Sequence, residues 1–320
     1  MPGLLSVHGV TKTYRIGRGL FASEAGEVRA VDGVDLECGR CETLGLVGES
    51  GCGKTTLGKL ILSLEKPDEG SVLFEGRDIV RASPSQLREI RRGMQVVFQD
   101  PFGSLNPRMR VRDIIEEPMI VHRTLSRPLI RERARELAFL VGLTPDMLGR
   151  YPHEFSGGQR QRICIARALA INPKLVVCDE PVSSLDVSIQ AQVINLLVDL
   201  QERLQLSYLF ISHDLSVISY LSHRTAVMER GRIVEVAPPD ELFRHPVHPY
   251  TKTLMEALPD LSNPGSFLAR ARAGRERPRP VVRAGCVHAG ACTLERDVCR
   301  EERPPLREVA PSHFAACHLA

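Results

Sequence analysis

No apolar run in this chain approaches the roughly 20 residues needed to cross a bilayer. The start, Met1-Pro2-Gly3-Leu4-Leu5, lacks the basic opening and long apolar stretch of a secretory signal. These two absences predict a soluble, cytosolic chain. Charge of one sign is also missing. Lys and Arg number 42 against 39 Asp and Glu, and the resulting +3 is too mild to argue for a nucleic-acid partner. No internal repeat or heptad pattern is present, so repeat arrays and coiled coils are not expected. Cysteine is not scarce, at nine residues, but a cytosolic setting argues against disulfides. The 43% hydrophobic content is ample for a core, and 320 residues suit one large domain with a smaller appendage.

The stretch from Phe155 to Asp186 organises the rest. It opens with Phe155-Ser156-Gly157-Gly158-Gln159-Arg160-Gln161-Arg162 and continues as a helical run. Leu175-Val176-Val177-Cys178 then reads as a short buried parallel strand. It ends in Asp179-Glu180-Pro181, and Ser183-Ser184-Leu185-Asp186 follows. Open α/β sheets bind ligands at the C-terminal ends of such strands. One carboxylate there can hold a metal ion while its neighbour polarises a water.

Upstream, Gly48-Glu49-Ser50-Gly51-Cys52-Gly53-Lys54-Thr55-Thr56 is a full match to G-x-x-x-x-G-K-[ST]. A strand-like Glu42-Thr43-Leu44-Gly45-Leu46-Val47 precedes it, and a helical pattern through Leu57, Leu60 and Ile61 follows. Gly48, Ser50, Gly51 and Gly53 shape a loop whose amides turn toward phosphate oxygens at a helix N-terminus. Lys54 can reach the β- and γ-phosphates, and the Thr55 hydroxyl can ligate Mg²⁺. A nucleoside triphosphate is the expected ligand.

Along the chain, Leu4–Tyr14 and Val28–Leu36 alternate as strands, Ser71–Phe74 is a short strand, and Gln95–Phe98 is a buried one ending at Gln99. Residues 108–150 carry Arg, Glu and Leu at helical spacing, with breaks expected at Pro118, Pro128 and Pro145. That predicts a helical insertion in an alternating α/β chain. A long amphipathic helix is predicted over Ser188–Leu204 and a strand over Ser207–Ile211, after which comes Ser212-His213-Asp214. Arg224–Val236 reads as a hairpin turning at Arg230-Gly231, and Pro239–Leu258 as two short helices. Residues 259–285, with Arg270, Arg272, Arg275, Arg277, Arg279 and Arg283, have a linker's composition.

Together these residues resemble the ATP-binding cassette (ABC) family over nearly the whole chain. Ser156-Gly157-Gly158-Gln159 resembles the family's signature, Gln99 its Q-loop glutamine, Ser183–Asp186 its D-loop and His213 its switch histidine. Phe155 departs from the commoner leucine. Tyr14 falls where the family stacks an aromatic ring on adenine. The resemblance implies an α/β nucleotide-binding fold with a mixed sheet core, an antiparallel β subdomain and a helical subdomain near 100–160. It implies ATP and Mg²⁺ as ligands. Thr55, Gln99 and Asp179 would hold the metal directly or through water. Glu180 would be the general base, His213 would align the γ-phosphate and water, and Lys54 would neutralise phosphate charge. Ser156, Gly157, Gly158, Gln159 and Asp186 would meet the nucleotide bound by a partner subunit.

Val97-Phe98-Gln99-Asp100-Pro101, Ser104-Leu105-Asn106-Pro107-Arg108 and His248-Pro249-Tyr250-Thr251 narrow the likeness to the ATPases of dipeptide and oligopeptide importers. That implies a second, non-identical ATPase, two integral-membrane permeases and an extracytoplasmic binding protein as partners, with no nucleic acid. Nickel complexes, glutathione or sugars are the alternative cargoes. A soluble cassette ATPase outside transport is the rival class. The expected organisation is an ATPase domain over 1–258, a linker over 259–285 and a Cys-rich segment over 286–320, at the cytoplasmic face of the inner membrane.

That last segment holds Cys286, Cys292, Cys299 and Cys317 and is too small to bury much core, so a staple is expected. The gaps of five, six and seventeen residues match neither the usual zinc pairs nor the ferredoxin spacings. Zinc and an iron–sulfur cluster both stay open on spacing. The resemblance implies a 4Fe–4S cluster, with His288, His313 or His318 able to replace one cysteine.

Overall fold

The computed structural model describes residues 3–15, 27–123, 125–256 and 284–320. Its strands are β1 (Leu5–Arg15), β2 (Glu27–Cys38), β3 (Thr43–Val47), β4 (Glu69–Phe74), β5 (Arg77–Asp78) and β6 (Met94–Val97). They continue with β7 (Leu175–Asp179), β8 (Ser207–Ile211), β9 (Arg224–Glu229), β10 (Arg232–Ala237), β11 (Arg307–Ala310) and β12 (His313–Ala315). Two sheets result. The smaller, antiparallel one runs β2-β1-β4-β5, and the larger runs β11-β12-β10-β9-β3-β8-β7-β6.

Within the larger sheet, β9, β3, β8, β7 and β6 are parallel, while β10, β12 and β11 add an antiparallel edge. All five residues of β3 and of β8 are buried, as expected of parallel strands covered on both faces. Period-2 alternation divides β8 between two cores. Leu209 and Ile211 join the smaller sheet and helix Lys54–Ile61, whereas Tyr208 and Phe210 face the core of the helical insertion. The C-terminal ends of β3, β7 and β8 therefore open onto one rim between two packed layers.

The helical insertion consists mainly of helices Val111–His122 and Arg127–Leu140, packed against helix Gly157–Leu169. Pro118, expected as a break, lies inside the first helix, which continues through it. An internal proline removes one backbone donor and crowds the preceding turn. Burial of Ile114, Ile115 and Met119 around it outweighs that cost. Pro128 sits in the first turn of its helix, where a missing amide hydrogen is harmless, and Pro145 opens a short 3-10 turn.

Beyond residue 284 the chain forms the turn of helix Asp297–Glu301 and the β11–β12 pair. Strand β12 bonds to β10 with Glu235 opposite Ala315 and Val236 opposite Phe314. The cysteine-bearing segment is thus seated on the main sheet. The expected boundary near 258 and the linker's arginines Arg270 to Arg283 lie outside the described residues. Among the described residues no helix is long and apolar enough to cross a membrane.

Candidate functional site

The loop between β3 and helix Lys54–Ile61 has positive φ at Gly48, Gly51 and Gly53. Glycine is required at two of these by close approach as well. A Cβ on Gly48 would lie 2.1 Å from the Met228 carbonyl oxygen, and one on Gly53 would lie 2.1 Å from that of Ala30. Ser50 is exposed at the rim. Lys54 is only 4% exposed, and its Nζ donates to the carbonyl oxygens of Gly48 at 2.7 Å and Glu49 at 3.0 Å. The cation is thereby held within the loop, whose amides precede a helix N-terminus, the setting in which phosphate is bound. Cys52 beside it is buried, and burial pushes its thiol pKa up.

The end of β7 meets this loop at the rim, and two further segments meet the end of β7. Thr55 Oγ1 donates to Asp179 Oδ1 at 3.1 Å, joining the loop to the end of β7. Burial, reinforced by the charge of Glu180, raises the Asp179 carboxyl pKa despite the Thr55 bond. A hydroxyl beside a partly desolvated carboxylate is a hard-oxygen donor set that fits Mg²⁺. Next in the chain, Glu180 has φ +47°, the left-handed region, and its amide donates to the Ile211 carbonyl of β8 at 3.0 Å. Such backbone costs about 1–3 kcal/mol and persists where the surroundings enforce it. Here it turns the Glu180 side chain out of the strand direction. Glu180 Oε2 accepts from Gln99 Nε2 at 3.0 Å, and His213 Nδ1 lies 3.2 Å away. Gln99 also lies 3.4 Å from Ser183 Oγ, so it faces Glu180 rather than the Thr55–Asp179 pair.

Tyr14 is half exposed at the edge of β1. Its hydroxyl reaches the side chains of Glu65 and Thr56, which ties the ring to the helix that follows the phosphate loop. Ser156 caps helix Gly157–Leu169 through a reciprocal box: Ser156 Oγ accepts from the Gln159 amide, and Gln159 Oε1 accepts from the Ser156 amide. Cβ atoms on Gly157 and Gly158 would approach Leu185 to 3.1 Å and Ile189 to 2.2 Å. Gly157 therefore packs on the Ser183–Asp186 turn and Gly158 on the first turn of helix Val187–Leu204. Asp186 itself caps helix Val187–Leu204 by accepting from the Ile189 amide at 3.0 Å. Among the described residues no hydrogen bond joins Ser156–Gln159 to the phosphate loop.

In the C-terminal segment the Cys286 amide donates to the Cys299 carbonyl at 2.8 Å. Cys286 and Cys292 each lie within electrostatic reach of Cys299 and Cys317. Burial raises both thiols, Cys286 to about 11. Among the described residues no group of three or more His, Cys, Asp or Glu side chains is close enough to hold a metal ion. As placed, the four thiols do not form a ligand set. Nor do the three nearby histidines join them: His288 pairs with Glu229, His313 with Glu235, and His318 with the Glu302 carbonyl.

One residue of the loop's surroundings carries no catalytic motif. The Glu49 amide donates to the Tyr250 hydroxyl at 3.0 Å, across 201 positions of sequence. His248-Pro249-Tyr250-Thr251 is visible in the sequence as a subfamily mark, but nothing in it signals contact with the phosphate loop.

A phosphate loop with its lysine, a hydroxyl–carboxylate pair and a second carboxylate held by Gln99 and His213 define a P-loop nucleoside triphosphatase. The family described as ABC transporter matches residues 31–183, and that described as oligopeptide/dipeptide transporter, C-terminal region, matches residues 234–299. The oligopeptide transport ATP-binding protein AppF of Bacillus subtilis is 50% identical over 319 residues, covering 99% of this chain and 97% of its own. The di/tripeptide transport ATP-binding protein DppF of Pseudomonas aeruginosa is 43% identical, covering 100% of this chain and 98% of its own. Among solved structures, cbiO1 of Clostridium perfringens, part of an ABC transporter complex, superposes with TM-score 0.67 at 26% identity, covering 77% of this chain and 92% of that one. An ATP-binding cassette dimer in a post-hydrolysis state with ADP and Pi gives TM-score 0.64 at 28% identity, covering 73% of this chain and 98% of that one. The chain belongs to the ABC transporter family of ATP-binding proteins.

Proposed function

We propose that this chain is the ATP-hydrolysing subunit of an importer that drives di- and oligopeptide uptake from the cytoplasmic face of the inner membrane. The observation that carries the chemical part is the convergence of Gln99 and His213 on Glu180 Oε2, beside the Thr55–Asp179 pair. The full-length likeness to peptide-transport ATP-binding proteins supports the cargo class.

In this reading Gly48, Ser50, Gly51, Gly53, Lys54, Thr55 and Thr56 hold the triphosphate, and Tyr14 stacks on the base. When bound, Mg²⁺ neutralises phosphate charge, and Thr55 and Asp179 would hold it, with Gln99 acting through water. Glu180 takes the proton of the attacking water as general base, and His213 fixes Glu180 and the transferring phosphate in line. Lys54 offsets charge on the oxygens that gain it. Ser156, Gly157, Gly158, Gln159 and Asp186 meet the nucleotide of a second, non-identical ATPase. That Ser156 and Gln159 bond within their own cap and, among the described residues, not to this chain's phosphate loop supports a role completed in trans. Two permeases and an extracytoplasmic binding protein complete the assembly. The mild net charge supports no nucleic-acid partner. The domain division follows the same reading: 1–258 for the ATPase with its helical part near 100–160, 259–285 for the linker and 286–320 for the Cys-rich segment.

The permease contact falls on residues 100–150. The insertion follows Gln99 directly, and it exposes Phe102, Ile120 and Val121, which are 66%, 55% and 50% exposed. Cysteine pairs between exposed positions here and a permease cytoplasmic loop are expected to cross-link in membranes, in a yield that changes with ATP. Cross-links confined to residues 284–320 would reject this placement.

The same reading gives the four thiols an iron–sulfur cluster of the 4Fe–4S type, in a structural or redox-sensing role, because phosphoryl transfer needs no electron. Support comes from the electrostatic reach of Cys286 and Cys292 to Cys299 and Cys317, and from the transporter C-terminal family's match to residues 234–299, which hold the first three cysteines. Anaerobic purification is expected to give about four iron and four sulfide per chain with visible absorption. One zinc per chain without iron would instead identify the zinc alternative.

A further inference from the structure

The phosphate loop is fastened at two backbone points outside the nucleotide site. The Gly231 amide, at the β9–β10 turn, donates to the Cys52 carbonyl at 2.7 Å. The Tyr250 hydroxyl accepts the Glu49 amide at 3.0 Å, while the Glu49 carbonyl accepts Lys54 Nζ. Glu49 is thus gripped on both sides, by the lysine and by a tyrosine that is 1% exposed.

The tyrosine is itself fixed from the C-terminal segment. Its ring lies 5.8 Å from that of His288, and the His288 ring stands edge-on to His248 at 5.7 Å. His288 Nδ1 is 2.9 Å from Glu229 Oε1, both side chains being almost fully buried. On the far side, the Glu235 carboxylate accepts the amides of Val247 and His248 at 2.8 and 2.9 Å and meets His313 Nε2 at 2.7 Å. His248 Nδ1 in turn accepts the Tyr250 amide at 3.2 Å. Two histidines of the segment therefore clamp the short stretch that carries Tyr250. Buried polar groups are costly unless paired, so breaking any of these contacts carries a penalty.

We propose that Tyr250 is a positioning residue of the nucleotide site, holding the phosphate loop through the Glu49 amide, and that His288 of the C-terminal segment sets its orientation. The segment is then coupled to nucleotide affinity through one hydroxyl, with no contact of its own to phosphate. The inference rests on the nucleotide-site reading above.

The test uses the full chain and Mg·ATP, by calorimetric titration. Tyr250→Phe keeps the ring in place and removes the acceptor, leaving a loop amide unpaired. It is expected to weaken ATP binding roughly tenfold. In the assembled transporter its kcat at saturating ATP is expected to stay within about twofold, the split that marks lost positioning of the bound ligand. His288→Asn keeps a donor toward Glu229 but removes the ring beside Tyr250, and a roughly threefold weakening is expected; combined with Tyr250→Phe it should add nothing further. Hydrogen exchange gives a variant-free check: the Glu49 amide of the nucleotide-free wild type should be protected.

Binding by Tyr250→Phe equal to wild type, or an unprotected Glu49 amide, would overturn the role of Tyr250. Multiplicative losses in the double variant would overturn that of His288. Failure of the wild-type chain itself to bind ATP would instead remove the nucleotide-site reading.

Discussion

Glu180→Gln is expected to bind ATP with near wild-type affinity and to hydrolyse it roughly 10²–10⁴-fold more slowly. The substitution is nearly isosteric, and an amide oxygen at position 180 still accepts from Gln99, which stands 3.0 Å from the present carboxylate. The Thr55–Asp179 pair, 3.1 Å apart, is untouched, so the metal donors persist. What disappears is the basicity needed to take a proton from water. Single-turnover hydrolysis by the assembled transporter, alongside ATP binding by the full chain, separates these effects. A rate within about tenfold of wild type would remove Glu180 from the role of base.

Lys54→Ala is expected to act at the other step. Its Nζ is the buried cation of the loop and holds the Gly48 and Glu49 carbonyls at 2.7 and 3.0 Å. Removing it strips a charged donor from the phosphates and two internal bonds from the loop. Charge-assisted bonds of this kind are worth about 2–3 kcal/mol, so ATP affinity should fall roughly thirty- to 150-fold. Lys54→Arg is not expected to restore it, because a planar guanidinium cannot occupy a position built for a compact ammonium between two carbonyls. Titration with Mg·ATP decides the matter; retention of wild-type affinity in Lys54→Ala would contradict the assignment.

Local pattern made much of this architecture readable. Strands β3, β7 and β8 are short continuous apolar runs because both faces of the large sheet are covered, and such runs are conspicuous. The phosphate loop announces itself because glycine is required at Gly48 and Gly53 for steric reasons. Other features depend on distant partners. Pro118 reads as a break until the burial of Ile114, Ile115 and Met119 is known. The left-handed backbone of Glu180 has no local signal, since glutamate has no preference for it; the amide bond to Ile211 is one of the contacts that fix it there. Strand β12 has three residues and is stabilised by pairing with β10, about 80 positions earlier in sequence, so alternation could not reveal it. Tyr250 is the same kind of case: a hydroxyl meeting a backbone amide leaves no residue pattern at the amide's end.

Uptake of a labelled dipeptide tests the central claim most directly. Vesicles would carry the two permeases, the partner ATPase and this chain, with ATP enclosed and the binding protein outside. The expected result is accumulation that requires enclosed ATP and this chain and is lost when the chain carries Glu180→Gln. Accumulation at the same rate with Glu180→Gln, or with this chain left out, would contradict the account.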